Sequence, residues 1–424
     1  MDRVYACIDL QSFYASVEAV ERGLEPSKIN LVVSDKSRGN GAITLAITSH
    51  MKKLGVKNRC RLYEIPKNID YIIAKPRMKL YMKYSADIYG IYLKYIAPED
   101  IHVYSIDECF IDLTSYLSMY NKEPKEICKM IIDAVYREKK IQSTVGIGSN
   151  LFLAKVALDI IGKKTKDYIG YLDNNLFNRY ILNHKPITDI WGIGTGIARV
   201  LSQYGIYTLN DIKKTSVDLM YKLFGINAEI LIDHANGIEP CTIDDIHKYI
   251  PKNTGVCTSQ VLFEDYNYEE AWIVIKEMIE LLTLEIINSP LKPTVISLKI
   301  GYSKKITDST NGSRKLKNPT NSYLELVEVF KKLYFEIVNK NYPIRRLAIA
   351  FNNLIKEECV QLSFFDDPIK KEKELSLQKT IFNIKQKYGK NSILRGISYE
   401  HKATMKNRNK LIGGHYGGDD EKYQ

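Results

Sequence analysis

Short apolar runs of strand length alternate with segments whose apolar residues recur at helical spacing along most of the chain. Val4-Tyr5-Ala6-Cys7-Ile8 predicts a strand ending at Asp9, and Phe13 to Glu21 predicts a helix beginning directly afterwards. Val103-Tyr104-Ser105-Ile106 and Phe110-Ile111-Asp112-Leu113 predict two further strands, which put Asp107-Glu108 at or beside a hairpin turn. Lys125 to Lys139 reads as a helix, Thr144 to Gly148 as a strand ending in glycine, and Leu151 to Ile161 as a helix. The alternation makes this first region α/β or α+β. From Pro186 to about Ile246 the pattern changes to short helices punctuated by Gly192, Gly194, Gly196, Gly205, Gly225 and Gly237, a small all-helical domain. Beyond the basic stretch Lys248 to Lys252, helices over 268–287 and 323–338 and strands over 294–301 and 344–351 predict a sheet with two helices. After Ile355 periodicity lapses until Leu375 to Lys387, and the polar, Gly- and charge-rich end is expected to be disordered.

A chain of 424 residues with 45% hydrophobic content holds more than one core organises, so several domains are expected. No long uninterrupted apolar run appears, and the start Met-Asp-Arg-Val-Tyr leads straight into a strand rather than an apolar signal region, so no membrane partner and a cytoplasmic location are expected. The seven cysteines are scattered without a Cys-x-x-Cys pair and are read as reduced. With 61 Lys+Arg against 50 Asp+Glu the net charge is +11, which favours polyanionic partners without naming one.

Asp9 at a strand end and Asp107-Glu108 on a hairpin can converge on one site. Phosphoryl transfer to a hydroxyl uses two metal ions about 4 Å apart, one to sharpen the nucleophile and one to hold the triphosphate. Mg²⁺ takes hard oxygen ligands and keeps water and phosphate oxygens, so two or three carboxylates at strand ends suffice. A single acid of this kind is an ordinary solvated charge. The adjacent pair is not ordinary, because apolar residues enclose it on both sides.

Ile8-Asp9 followed by Ser12-Phe13-Tyr14-Ala15-Ser16-Val17-Glu18, then Ser105-Ile106-Asp107-Glu108, then Val145-Gly146-Ile147-Gly148 with Phe152-Leu153-Ala154-Lys155, resemble the ordered motifs of Y-family translesion DNA polymerases. The resemblance spans residues 1 to about 355 and points to the UmuC-like bacterial branch, in which DNA polymerases IV and V fall. It implies an α+β multidomain right-hand polymerase: palm and fingers over 1–185, with the fingers at about 25–75; a helical thumb with a helix-hairpin-helix over 186–246; an α/β little-finger domain over 253–355; and a C-terminal tail over 356–424. The activity implied is template-directed addition of deoxynucleotides to a primer 3′ end, with low fidelity and lesion bypass. The implied partners are primer-template DNA and deoxynucleoside triphosphates, with the catalytic chain a monomer. Two Mg²⁺ ions would be held by Asp9, Asp107 and Glu108 and by the backbone carbonyl of Leu10. Tyr14, next to Phe13 at the nucleotide, would lie under the sugar and exclude a 2′-hydroxyl; a packed core aromatic is the plain alternative. Lys155 resembles the family lysine that reaches the triphosphate, where a surface lysine is the alternative. The finger segment Gly41 to Gly55 is longer than the usual family spacing. Where a Tyr and an Arg commonly meet the phosphates it has Thr48, Ser49, Lys52 and Lys53, of which Lys52 is expected at the phosphate. Gln11 stands where many members carry a second acidic residue, which suggests the UmuC-like branch.

Trp191-Gly192-Ile193-Gly194-Thr195-Gly196 invites a dinucleotide-binding reading, but no buried strand precedes it. Two helices joined by a Gly-Ile-Gly turn resemble a helix-hairpin-helix instead, in which Gly192, Gly194 and Gly196 would expose amides to a DNA phosphate. In Tyr302 to Thr320, expected as a loop, Lys304, Lys305, Arg314, Lys315 and Lys317 face one acid, Asp308, and are expected at the DNA backbone unless simply solvated. Gln361-Leu362-Ser363-Phe364-Phe365 looks like a bacterial sliding-clamp peptide, in which Gln361, Leu362, Phe364 and Phe365 are the anchors; packing onto the third domain is the alternative. Two other function classes stay open: a non-catalytic DNA-binding protein on a polymerase fold, and a cyclase or other two-metal phosphotransferase.

Overall fold

The computed structural model describes residues 3–252, 254–289, 291–303, 309–356 and 368–418. They form two compact units, one of the described residues within 1–249 together with 415–418 and one of those within 250–414. The first contains, in chain order, β1 (Tyr5–Leu10), α1 (Phe13–Glu21), β2 (Leu31–Val33), β3 (Ala46–Ile47), α2 (Ser49–Lys53), β4 (Ile72–Ala74), α3 (Met78–Tyr92), β5 (Ile101–Val103), β6 (Glu108–Asp112), α4 (Thr114–Tyr120), α5 (Pro124–Lys139), β7 (Ser143–Gly148), α6 (Leu151–Val156) and β8 (Ile169–Leu172). Five of these strands form one sheet in the order β5-β6-β1-β7-β8. β1 lies at its centre, antiparallel to both β6 and β7, which explains its unbroken apolar run: Tyr5 to Ile8 are all buried.

Pairing fixes where the charges go. Asp9 lies directly opposite Glu108 across β1 and β6, and the Leu10 N–H donates to the Asp107 carbonyl at 2.9 Å. The hairpin turns earlier than the apolar pattern predicts: β5 ends at Val103, Tyr104 to Asp107 form the turn, and Glu108 already begins β6. On the other side of β1, α6 sits almost in contact with β7. A Cβ on Gly146 would fall 2.1 Å from the Ala154 carbonyl oxygen and one on Gly148 2.4 Å from the Ala154 nitrogen, so only bare backbone lets α6 approach this closely. The Asn150 side chain caps α6 by accepting from the Leu153 N–H at 2.8 Å. Leu153 is fully buried in this contact, and its truncation to alanine is expected to cost about 2–5 kcal/mol. The helix predicted to run to Ile161 widens after Val156 into a π-type turn over Ala157–Ile161, a change that apolar spacing does not register.

Within the same unit β2 pairs with β3 antiparallel and β4 parallel, over a small core of Val32, Ile47, Met51, Val56 and Leu62. Residues 174–248 are helical: α7 (Asn174–Leu176), α8 (Thr195–Ser202), α9 (Leu209–Lys214), α10 (Val217–Phe224), α11 (Asn227–Ala235) and α12 (Ile243–Lys248). Their core, with Ile193, Leu201, Met220 and Leu231, is continuous with Phe152 on α6. Before the Gly192–Gly194 turn stands a single turn, Ile187–Asp189, where a full helix was predicted.

The second unit contains β9 (Gly255–Tyr266), α13 (Tyr268–Ile287), β10 (Leu291–Tyr302), β11 (Thr310–Lys315), α14 (Tyr323–Ile337), β12 (Ile344–Lys356) and α15 (Pro368–Tyr388). Its sheet has the order β11-β10-β12-β9, antiparallel throughout. Leu298, Ile300, Leu347, Ile349 and Phe351 point from one face into the core shared with α13 and α14. Two expectations are corrected here. The predicted loop from Tyr302 to Thr320 contains the edge strand β11, whose polar sequence hid it. The C-terminal end is not a disordered tail over its described length. α15 starts earlier than predicted, and beyond it buried Glu277 of α13 accepts from the Thr404 and Met405 N–H groups at 2.8 and 3.0 Å, while Arg395 lies over the Tyr323 ring. Polar caps of this kind order a segment without apolar periodicity. Among the described residues no helix is long and apolar enough to cross a membrane, and the six described cysteines are all free thiols.

Candidate active site

Asp9, Asp107 and Glu108 come together at one end of the five-stranded sheet. The turn orients Asp107: Ser105 Oγ donates to Asp107 Oδ1 at 2.8 Å and accepts from the Glu108 N–H at 3.1 Å. Burial is the main force on these acids. It pushes Asp9 up to about 7, with Lys163 opposing and Glu108 and Asp107 adding to the rise. Asp107 is also raised, first by burial, against which the Ser105 hydrogen bond works, and then by the charge of Glu108. Such a cluster carries repulsion that a cation relieves.

Two lysines already act on it. Lys155, with its side chain 6% exposed, donates to Glu108 Oε1 at 2.7 Å and lies 3.3 Å from Asp159. Burial works against its ammonium, yet Cys7, Asp159 and Glu108 hold its pKa above the ordinary lysine value. Lys163 is 43% exposed, 3.5 Å from Asp9 and 2.7 Å from Asp159. The sequence reading expected Lys155 at a triphosphate; its ammonium is instead engaged behind Glu108, and the cation facing Asp9 is Lys163, which was not singled out. Lys163 lies just past the π-type turn and shares Asp159 with Lys155, each lysine four residues from that acid. Lys52, near the end of α2, is an exposed residue. Partial desolvation of its ammonium, despite the exposure of the residue as a whole, lowers its pKa, with the charges of Asp9 and Asp107 pulling upward and Lys163 downward.

Tyr14 is half-buried on α1, stacked on Tyr81 with ring centroids 4.6 Å apart and planes at 19°. Its hydroxyl is raised by burial first and by Asp107 second, so the ring borders the acidic cluster. Phe13, expected with Tyr14 at the nucleotide, is 2% exposed and packs behind it at 5.8 Å, so it offers a ligand no surface. Leu10, the last residue of β1, is buried beside Asp107.

The carboxylates are hard oxygen donors, which suits Mg²⁺. Among the described residues no three His, Cys, Asp or Glu side chains already enclose a single position for an ion.

Residues 8–159 match the impB/mucB/samB family, and residues 254–364 match the C-terminal domain of the same family. The chain is 33% identical over 418 residues to UvrX of Bacillus subtilis (strain 168), a protein named for UV-damage repair, with 96% of each chain covered. It belongs to the Y family of DNA polymerases. DNA polymerase IV 2 of Bacillus subtilis (strain 168) is 30% identical, covering 98% of this chain and 99% of its own. In fold the chain is similar to the Y-family DNA polymerase chimera Dbh-Dpo4(243-245)-Dbh, with TM-score 0.65, 23% identity, and coverage of 83% of this chain and 99% of that one. A DNA-directed DNA polymerase of the translesion type, as this family is, depends on divalent metal.

In this Y-family polymerase Gly192, Gly194 and Gly196 stand at the start of α8, with Ile193 buried between the first two and Gly194 at the N-cap position. In the second unit register sorts the basic residues. Arg314 points to the helix side and pairs with Glu336 of α14, whereas its neighbour Lys315 and the separate Lys317 are exposed. Lys315 shares the uncovered face of the sheet with Lys299 and Arg346, exposed residues that alternate with the core positions Leu298, Ile300 and Leu347. Period-two alternation was the available signal for Lys299 and Arg346. Lys304 and Lys305 and the clamp-peptide residues Gln361, Leu362, Phe364 and Phe365 lie outside the described residues.

Proposed function

We propose that this polymerase adds deoxynucleotides to a primer 3′ end at Asp9, Asp107 and Glu108, which hold two Mg²⁺ ions together with the Leu10 carbonyl. The observation that carries this reading is the register of β1 and β6, which sets Asp9 opposite Glu108 and ties Leu10 to Asp107. Two such ions sharpen the primer hydroxyl and neutralise charge on the triphosphate. The chain's own groups do the rest. Lys155 fixes the Glu108 carboxylate from behind. Lys163 and Lys52 offer ammonium groups to the triphosphate, in place of the role first given to Lys155. Tyr14 lies under the sugar and leaves no room for a 2′-hydroxyl. Primer extension with Mg²⁺ on undamaged and abasic templates tests the reading; a chain that extends neither is not a translesion polymerase.

In the same reading residues 25–75 serve as fingers and the rest of 1–185 as palm, 186–246 as thumb, and 253–355 as little finger. The amides at Gly192, Gly194 and Gly196 and the cations Lys315, Lys317, Lys304 and Lys305 then meet primer-template backbone. Low fidelity and bypass belong to the same reading, with family membership as their support. The catalytic chain acts as a monomer, with Gln361, Leu362, Phe364 and Phe365 docking on a sliding clamp that raises its effective concentration at the primer. Alanine at those four positions is expected to remove clamp stimulation while clamp-free extension and thermal stability persist.

A further inference from the structure

The chain's last described residues return to the first unit: residues 415–418 group with 1–249, not with the unit they follow. There they lie along the start of α3. The Gly417 carbonyl accepts from the Lys79 N–H at 3.0 Å. Lys79 is in the first turn of α3, where amides have no intrahelical acceptor, and the N-cap residue Arg77 supplies no side-chain cap. The Lys75 ammonium stands 3.8 Å from the centre of the Tyr416 ring. Gly418 has φ +91°, and a Cβ there would come within 3.1 Å of the Arg77 Cβ, so both backbone conformation and close approach call for glycine.

The same turn of α3 carries the support of Tyr14. Arg77 donates through Nε and Nη2 to the two oxygens of Glu18 at 2.9 and 2.8 Å, the Tyr81 hydroxyl donates to Glu18 Oε1 at 2.7 Å, and Arg22 pairs with the same carboxylate. Glu18 and Tyr81 are both 0% exposed, and Tyr81 is the ring on which Tyr14 stacks. A buried carboxylate so completely partnered resists displacement, because losing one partner leaves uncompensated charge in the interior. Tyr14 therefore rests on Tyr81, Tyr81 on Glu18 and Arg77, and Arg77 with the first turn of α3 is covered by residues 416–418.

We propose that residues 415–418 are a positioning element of the nucleotide pocket, capping α3 from outside so that the choice of deoxyribose over ribose depends on the C-terminal segment of the chain. This rests on the reading of Tyr14 as the residue that excludes a 2′-hydroxyl.

The test is single-nucleotide incorporation by the full chain, with a deoxynucleotide and its ribonucleotide counterpart on one primer-template, for Tyr14→Ala, Tyr416→Ala, Tyr416→Phe and Gly418→Val. Amide hydrogen exchange in the first turn of α3 is followed alongside. Tyr416→Ala and Gly418→Val are expected to lower the deoxy-to-ribo ratio of kcat/KM about fivefold, the factor equivalent to about 1 kcal/mol of lost helix cap. The change should enter through nucleotide KM, with faster exchange at Lys79 and unchanged DNA affinity. Tyr416→Phe keeps the ring under Lys75 and should match the parent. Parental discrimination in Tyr416→Ala and Gly418→Val, when Tyr14→Ala has become permissive, overturns the inference and leaves the Tyr14 reading standing. A Tyr14→Ala variant that still rejects ribonucleotides removes that reading and the inference with it. Equal loss of turnover with both sugars, or faster exchange with no change in the ratio, also overturns it and leaves the segment a structural clasp.

Discussion

In the first unit β1 and β7 are buried along nearly their whole length and the ionisable groups collect at one end, Asp9, Asp107 and Glu108 against Lys155 and Lys163. In the second unit β10 and β12 bury alternate residues over much of their length, and Lys299, Arg346 and Lys315 sit spread across an exposed face. The two sheets thus handle charge in opposite ways. Concentrated and half-buried, carboxylates shift their pKa values and invite a cation, which suits chemistry at one point. Spread out and solvated, cations offer a polyanion many weak contacts, which suits grip without sequence reading.

The contrast between the sheets breaks most sharply at Asp107 and Glu108. Either residue changed to alanine should lower incorporation by at least about a thousandfold, equivalent to about 4 kcal/mol of lost transition-state stabilisation. Primer-template affinity should stay near the parent value, since the spread cations are untouched. Near-parental single-turnover rates in these variants would falsify the assignment of the acidic end. Next in size is Tyr14→Ala, where removing a clash of ~1–3 kcal/mol should raise relative ribonucleotide use by about 5- to 150-fold. Competition between the two sugars at one template base measures it.

The other sheet should respond in small, additive steps. Lys299→Ala, Lys315→Ala and Arg346→Ala are each expected to weaken DNA binding a few-fold and to flatten the log–log salt dependence by ~0.9 for each phosphate left without its cation. Arg314→Ala, already paired with Glu336, should change the slope least. Fluorescence anisotropy across a salt series separates the four, and equal slopes for all of them would remove the face from the DNA interface.

The smallest effect is a pH dependence confined to the acidic end. Asp9 is raised in the fold, so the folded protein keeps a proton that the unfolded chain releases. Its contribution is fully present below the unfolded carboxylate pKa of about 4 and lost as pH rises to about 7, so metal-free stability should fall across that window. Urea unfolding in chelator should show the decline, and Asp9→Asn should flatten it and raise the neutral-pH melting temperature by a few degrees. An Asp9→Asn profile that tracks the parent would place the titration elsewhere. Bound Mg²⁺ should cancel the decline by favouring the ionised acid.

How much of this was legible differs from residue to residue. Asp9 and the 107–108 pair were readable because a strand end and a hairpin are local patterns and two adjacent acids between apolar runs are rare. Lys163 was not, because its contact with Asp9 joins residues far apart in sequence, and nothing local says which lysine of the segment makes it. The helices over 268–287 and 323–337 were read nearly to the residue, since an apolar stripe and a cap of Asn267 or Ser322 mark them locally. The edge strand 310–315 was missed because its own residues are polar, and the ordered end of the chain because its partners, Glu277 and Lys79, are far away in sequence.

By itself the sequence determined many of the elements, the acids at a strand end and a hairpin, and the resemblance to the family, because each depends on short-range pattern: period, adjacent acids and ordered motifs. Only the tertiary structure decided which cation faces Asp9, that Tyr14 stands on Tyr81, that Arg314 turns inward while Lys315 turns outward, and that the chain comes back to cap α3. Those outcomes depend on register and on interactions between residues tens to hundreds of positions apart. The energy of such interactions belongs to pairs of residues, and no local window of sequence contains both members.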